Sequence, residues 1–257
     1  MNIPTGCRLT TTTLSGWRAL IMENALIRTM WLPDKGADLV SFRHQPTGVE
    51  VLYQSHWGLQ PAGAAPRAGS GDTAFQWNYE GGWQELFPSA HYACTYRGQA
   101  IPFHGEVATL PWQDVIVKDT AEEVAALFSV RCRQTPLRLE RLVRLRRGEG
   151  SLHFEETITN QADAPAHFVW GDHCVVGAPF LEAGCRLEAP ARVFQTAPQV
   201  NEATARLLPG QTAASIGLTG LESFSIEGIA TSLAPRCGLA VVAHREDGHA
   251  RHHAART

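Results

Sequence analysis

The chain alternates apolar and polar residues over much of its length, which is the pattern of β-strands with one buried face. Residues 25–44 contain two such runs, separated by turn residues at 33–36, and this arrangement predicts a hairpin. Further strands are predicted at residues 125–133, 137–146 and 152–160. No segment keeps a helical period beyond about two turns. The pattern predicts an all-β fold, a large antiparallel β-sandwich with few or no helices.

One charged residue interrupts this pattern. Leu137, Leu139, Val143 and Leu145 share a face of their predicted strand, and Arg141 falls on the same face. A buried arginine needs an anionic partner, so Arg141 would line a cleft. A bulge that shifts the register explains its position equally well.

The length and composition indicate one domain. A chain of 257 residues with 44% hydrophobic residues can form a single large β-sandwich, and we assign residues 1–248 to this domain. Residues 249–257 are rich in His, Arg and Ala and lack an apolar pattern. They are predicted to form a disordered tail.

The charge balance narrows the range of partners and the compartment. A net charge of -3 gives no electrostatic reason to expect nucleic acid or an anionic membrane, and no apolar run is long enough to span a bilayer. The N-terminus lacks a basic region followed by an apolar one. The six cysteines show no Cys-x-x-Cys spacing and are predicted to be reduced core residues. We therefore expect a cytoplasmic protein.

Two segments carry the candidate chemistry. Residues 102–106 and 170–181 each set one histidine, His104 and His173, among glycines, a proline and aromatic residues. Histidine exchanges a proton near neutral pH, so the pair predicts one cleft with an acid/base function. Asp172 would favour the imidazolium form of His173 if the two side chains met. Adjacent residues on a strand point to opposite faces, however, so the partner of His173 stays open.

A third segment, residues 81–88, offers Trp83 and Glu85 after two glycines. Sugars are bound by such sets, because their C–H faces lie on aromatic rings while polar groups take the hydroxyls.

The chain resembles the galactose-mutarotase-like superfamily, the aldose 1-epimerases and their relatives, over roughly residues 20–245. The similarity lies in residues 31–42 and 47–52, in His104-Gly105 with Trp112, and in the Thr-Ile-Thr-Asn strand end before His173. It implies a β-sandwich that binds a small-molecule carbohydrate and interconverts its α and β anomers, with no metal or cofactor. His173 would protonate the ring oxygen, and His104 would hold the substrate. The resulting set has His104 and His173 as catalytic residues and, as substrate contacts, Trp83, Glu85, Glu106, Trp112 and Asp172.

The sequence departs from the superfamily pattern at two places. The arginine segment that precedes the first histidine is missing, and residues 81–88 stand near that place. The superfamily's base is a glutamate in a final block of strands, and this chain is expected to stop before such a block. Glu85 or Glu106 would have to substitute, whereas Glu222, Glu227 and Glu246 have no matching context. The chain is thus expected to be a divergent, C-terminally short member.

Two other functions stay open at this point. The first is a carbohydrate-binding protein that has lost the base and with it catalysis. The second is a metal-dependent sugar isomerase or lyase, because His104 and Glu106 would share one face of a strand and could bind a metal together with His91 and His173. A homodimer is compatible with either function.

Overall fold

The computed structural model describes residues 3–65, 67, 75, 78–90 and 92–181, together with Gly210 and the backbone of the strands beyond residue 185. Most of the described strands belong to two sheets. In spatial order the first, seven-stranded sheet contains β1 (Arg8–Leu14), β2 (Trp17–Glu23), β3 (Ile27–Leu32), β4 (Asp38–His44), β5 (Trp83–Leu86), β12 (Trp170–Gly177) and β17 (Ser223–Ala230).

The second sheet has eight strands. In spatial order it contains β16 (Ile216–Gly217), β13 (Arg186–Glu188), β18 (Val241–His244), β19 (His252–Arg256), β11 (Ser151–Asn160), β10 (Leu137–Arg146), β9 (Glu123–Arg131) and β8 (Gln113–Asp119). Two ribbons complete the strands: β6 (Cys94–Tyr96) with β7 (Gln99–Ile101), and β14 (Phe194–Gln195) with β15 (Thr212–Ala213). A 3-10 turn covers Val107–Thr109.

The predicted all-β, antiparallel sandwich is confirmed. Strands β3 and β4 form the hairpin expected at residues 25–44, and β9, β10 and β11 pair in sequence order. Parallel pairing occurs between β11 and β19. Strand β19 lies within residues 249–257, and its backbone pairs with β11 and β18.

The core lies between the two sheets. Trp31 of the first sheet stacks on Phe128 of the second, with ring centroids 5.5 Å apart, and Trp83 contacts Phe154 at 5.2 Å. In β10 every second residue is buried, as the alternation predicts. Such interdigitated aromatic pairs hold the sheets in one register.

Arg141 is the charged member of this core. Its side chain is 1% exposed, and its guanidinium contacts Glu85, Glu156 and Asp172: Nε lies 2.7 Å from Glu156 Oε1, and a terminal nitrogen lies 3.8 Å from Asp172 Oδ1. The pairing of β10 with β9 and β11 has no register shift at this position. Arg141 therefore marks neither a bulge nor a cleft. It joins β10 to β5 and β12 across the core.

The cysteine prediction is confirmed in part. Cys7 and Cys174 are buried free thiols, Cys132 is half-buried and Cys94 is exposed, whereas Cys185 and Cys237 lie outside the described residues. Within the described part of the chain, no helix has the length and apolar character needed to cross a membrane.

Candidate functional site

The structure brings His104 and His173 together. His173 lies on β12, and His104 lies in the turn between β7 and the 3-10 turn. Their ring centroids are 5.4 Å apart. Phe75 makes edge contacts with both rings, at 4.7 Å from His104 and 5.5 Å from His173, and Tyr79 lies 5.0 Å from His173. Two proton-exchanging rings about seventy residues apart in sequence thus share one aromatic surrounding.

The turn that carries His104 has an uncommon backbone. His104 has a φ of 65° and Gly105 a φ of 77°, in the left-handed region that side chains other than glycine rarely adopt. A Cβ at Gly105 would collide with the backbone oxygen of Phe87, which also accepts hydrogen bonds from the N–H groups of Glu106 at 2.9 Å and Val107 at 3.2 Å. This close approach fixes the direction of the His104 side chain.

Glu106 anchors the same turn from the other side. Its buried carboxylate accepts hydrogen bonds from the backbone N–H groups of Arg133 at 2.7 Å and Gln134 at 3.1 Å. Residues 102–106 form a turn rather than a strand, so the expectation that His104 and Glu106 share a strand face is wrong. Both carboxylate oxygens of Glu106, which the sequence predicts as a substrate contact, accept hydrogen bonds from backbone amides and so hold this turn.

Because side chains alternate along β5 and β12, the polar residues of these strands point to two opposite faces of the sheet. Trp83, Glu85 and Asp172 point into the core, where Trp83 Nε1 donates to Asp172 Oδ1 at 2.9 Å and Glu85 pairs with Arg141. Gln84 and His173, their sequence neighbours, are register partners on the opposite face. Trp83, Glu85 and Asp172 therefore lie on the core face of the sheet, away from His173 and Gln84.

Trp112 also lies in the core. It is 2% exposed, and its Nε1 donates to the backbone oxygen of Val107 at 2.9 Å. The side chain supports the 3-10 turn that follows Glu106. Among the predicted site residues, only the two histidines lie together on the outer side of the first sheet.

A cleft of about 420 Å³, within the size range of small-ligand sites, is lined by Phe75, Tyr79 and Gly105 but by neither histidine. Phe75, Tyr79 and Phe103 form an aromatic wall, and Phe75 and Tyr79 connect it to the histidines. The residues that sequence reasoning missed form a polar wall, namely Lys35, Asp38, Glu80 and Gln84. The strand period around Trp83 could have identified Gln84, whereas nothing in the sequence brings Lys35 to Glu80.

His173 is neutral in this surrounding. Burial lowers the pKa of the imidazole to about 4, and Nδ1 is fully buried with no hydrogen-bond partner among the described residues. Asp172 does not supply the counter-charge, because it faces Arg141 and Trp83 in the core. Near neutral pH the ring can accept a proton, and it does not start as an imidazolium acid.

The metal alternative finds no converging ligand set in the described residues. No three His, Cys, Asp or Glu side chains there are arranged to hold a metal ion. His91, which that alternative includes, lies outside the described residues.

The fold is shared with several solved structures. A candidate aldose 1-epimerase from Klebsiella pneumoniae superimposes with a TM-score of 0.57 at 20% identity, over 69% of this chain and 48% of that protein. The Slr1438 protein from Synechocystis gives a TM-score of 0.55 at 17% identity over 96% and 77% of the two chains. A galactose mutarotase-like protein from Clostridium acetobutylicum gives 0.54 at 14% identity over 75% and 62%. This chain thus spans about half of the Klebsiella protein, and the resemblance to the galactose-mutarotase-like superfamily is confirmed as a shared fold.

Sequence comparison gives the family. No curated protein matches the chain. Residues 14–215 match a family model described as a domain of unknown function, DUF4432. The matched region includes both histidines, the polar wall of the cleft and Arg141, and it covers most of the 257 residues. The chain belongs to the DUF4432 family.

Proposed function

We propose that this protein is an aldose 1-epimerase-like enzyme that interconverts the α and β anomers of a sugar by acid/base ring opening. The observation that carries the proposal is the pairing of His104 and His173, with ring centroids 5.4 Å apart, beside a cleft with one aromatic and one polar wall. The shared fold with aldose 1-epimerase-like structures supports it. Fold alone does not determine function, so the histidines carry the argument.

The proton balance of the reaction can be met by one imidazole. Neutral His173 takes the proton of the anomeric hydroxyl while the bond between C1 and the ring oxygen breaks. The imidazolium then gives this proton to the former ring oxygen, which has separated from C1 and becomes a hydroxyl group of the open chain. The free aldehyde rotates about its C1–C2 bond, and the reverse steps close the ring on the other face. A positioned group of this kind contributes about 10²- to 10⁴-fold in rate.

His104 is assigned the role of holding the substrate next to His173. Its left-handed backbone and the glycine after it fix the ring against Phe75 and Phe103, with centroids at 4.7 Å and 3.7 Å. Phe75 contacts both histidine rings and also lines the cleft, so a sugar on this aromatic wall would lie one side chain away from them.

The test is anomer exchange measured by two-dimensional exchange NMR on a panel of neutral aldoses. The wild type and His173→Gln are compared with His167→Gln, which changes an exposed histidine. The proposal expects acceleration by the wild type and by His167→Gln, and none by His173→Gln. Binding without acceleration would instead support a non-catalytic carbohydrate-binding protein.

A further inference from the structure

The polar wall of the cleft is built around a buried ion cluster. Lys35 Nζ donates to Asp38 Oδ2 at 2.7 Å and to Glu80 Oε1 at 2.5 Å. The Asp38 side chain is fully buried, and that of Glu80 is 5% exposed. Asp38 begins β4, which lies next to β5 in the first sheet, so the cluster stands beside Gln84.

This wall has hydrogen-bond acceptors without donors. Asp38 Oδ1, Glu80 Oε2 and Gln84 Oε1 are fully buried, and none has a partner among the described residues. The nitrogen of the Gln84 amide donates to the backbone oxygen of Gly81 at 2.7 Å, which fixes the orientation of the amide. Its Oε1 is therefore the atom left without a hydrogen-bond donor. Buried acceptors without donors are rare and costly. A ligand that donates hydrogen bonds would remove this cost.

A shared proton does not remove the need for such a donor. Burial raises the pKa of Asp38 well above its usual range, against the effect of Lys35. If Asp38 and Glu80 hold one proton between them, the carboxyl pair becomes partly satisfied. Gln84 Oε1 still lacks a donor, because an amide oxygen can only accept.

The charges of the cleft select among ligands. Lys35 is the cation on the described part of its lining, and it already bonds two carboxyl groups. A phosphate or carboxylate on the ligand would lie near those groups without a cation of its own, which is unfavourable in a site of low dielectric constant. Hydroxyl groups of a ligand would instead donate hydrogen bonds to the acceptor oxygens of Asp38, Glu80 and Gln84.

We infer that Lys35, Asp38, Glu80 and Gln84 form a hydroxyl-recognition subsite that selects uncharged, polyhydroxylated ligands and rejects their anionic derivatives. The inference rests on the proposed function for the identity of the cleft as a sugar site. In this proposal the polar wall determines which substrate binds, and the histidines transfer the proton.

Methyl glycosides test the subsite separately from catalysis, because they lack a free anomeric hydroxyl and cannot exchange anomers. The methyl α- and β-glycosides of glucose, galactose and mannose are titrated calorimetrically into the full-length wild type. The best binder is then compared with its single-deoxy analogues. We expect one deoxy analogue to bind about tenfold more weakly, which corresponds to one lost hydrogen bond to a buried acceptor.

The variants assign that hydroxyl to Gln84. In Gln84→Met the parent and this deoxy analogue should bind equally, whereas the matched control Gln113→Met, an exposed glutamine on β8, should keep the tenfold difference. The 6-phosphate of the best binder and the corresponding 6-carboxylate should each bind at least about tenfold more weakly to the wild type.

The outcomes separate the two proposals. Binding of methyl glycosides without anomer exchange of free sugars would overturn the proposed function and leave the subsite in place. Equal or tighter binding of the 6-phosphate or the 6-carboxylate would overturn the subsite. So would an unchanged deoxy difference in Gln84→Met, or the absence of any methyl glycoside binding.

Discussion

The neutral state of His173 has a measurable effect on stability. The pKa of this ring falls from an ordinary 6.5 to about 4 because burial opposes the charge. The unfolded chain therefore binds the proton at a higher pH than the folded protein. As the pH falls from about 6.5 to about 4, the folded state loses stability, at about 1.36 kcal/mol for each pH unit between the two pKa values. The loss from this one ring is about 3 kcal/mol.

Replacing the ring should remove this loss. In His173→Gln nothing titrates at this position. Between about pH 7 and about pH 4 the variant should therefore lose about 3 kcal/mol less unfolding free energy than the wild type loses. The assay is urea unfolding at both pH values, followed by tryptophan fluorescence, with the free energy extrapolated to zero denaturant. His167→Gln serves as the control because its side chain is exposed.

One result would refute the reasoning. If His173→Gln and the wild type lose the same free energy over this pH range, His173 has an ordinary pKa, and its surroundings do not exclude charge. If the variant instead loses more, the folded protein binds a proton at this ring more tightly than the unfolded chain does. His173 would then be an imidazolium acid at the start of the reaction.

Three further predictions concern the residues that hold the site. Arg141→Met should lower the free energy of unfolding by about 3–5 kcal/mol, because it leaves three buried carboxyl groups without their cation. Urea unfolding measures this loss. A loss below about 1 kcal/mol would contradict a net stabilising contribution of the cluster. Glu106→Ala should lower the free energy of unfolding by about 1–3 kcal/mol in the same assay, because two backbone N–H groups lose their acceptor. An unchanged unfolding midpoint would contradict the stabilising role of this carboxylate. Catalysed exchange should rise through about pH 4 and then level off, since neutral His173 is the active form; a rate that falls above about pH 4 would show that the protonated ring is required.

The sequence predicted the sandwich because alternation is a local property. Strands β10 and β11 follow their apolar pattern closely, and the core needs only that pattern and volume to form. The pairing of His104 with His173 was also predicted, from the glycines and aromatics around each ring and from the resemblance.

The polar residues of the site were predicted less well. Their place near aromatic residues and His173 predicts Glu85 and Asp172 as substrate contacts. The two-residue period of the strands, however, directs both side chains toward Arg141. Gln84 lies on the cleft face and is not among the predicted site residues. The strand period contained this information, since Trp83 is an inward-facing neighbour.

Long-range contacts explain the remainder. Lys35 and Glu80 are 45 residues apart, and the cluster they form with Asp38 depends on how β4 and β5 pair. No local pattern encodes such a meeting. Arg141 posed the same problem in the core, since its three acidic partners come from three different strands.

The most direct test of the central claim is the rate constant of α/β exchange for neutral aldoses, measured by exchange NMR near about pH 7, where the pKa of about 4 leaves His173 neutral. The wild type should accelerate exchange of at least one aldose in proportion to protein concentration, and His173→Gln should show only the background rate. Exchange that is equally fast with His173→Gln, or no acceleration by the wild type for any aldose, would contradict the account.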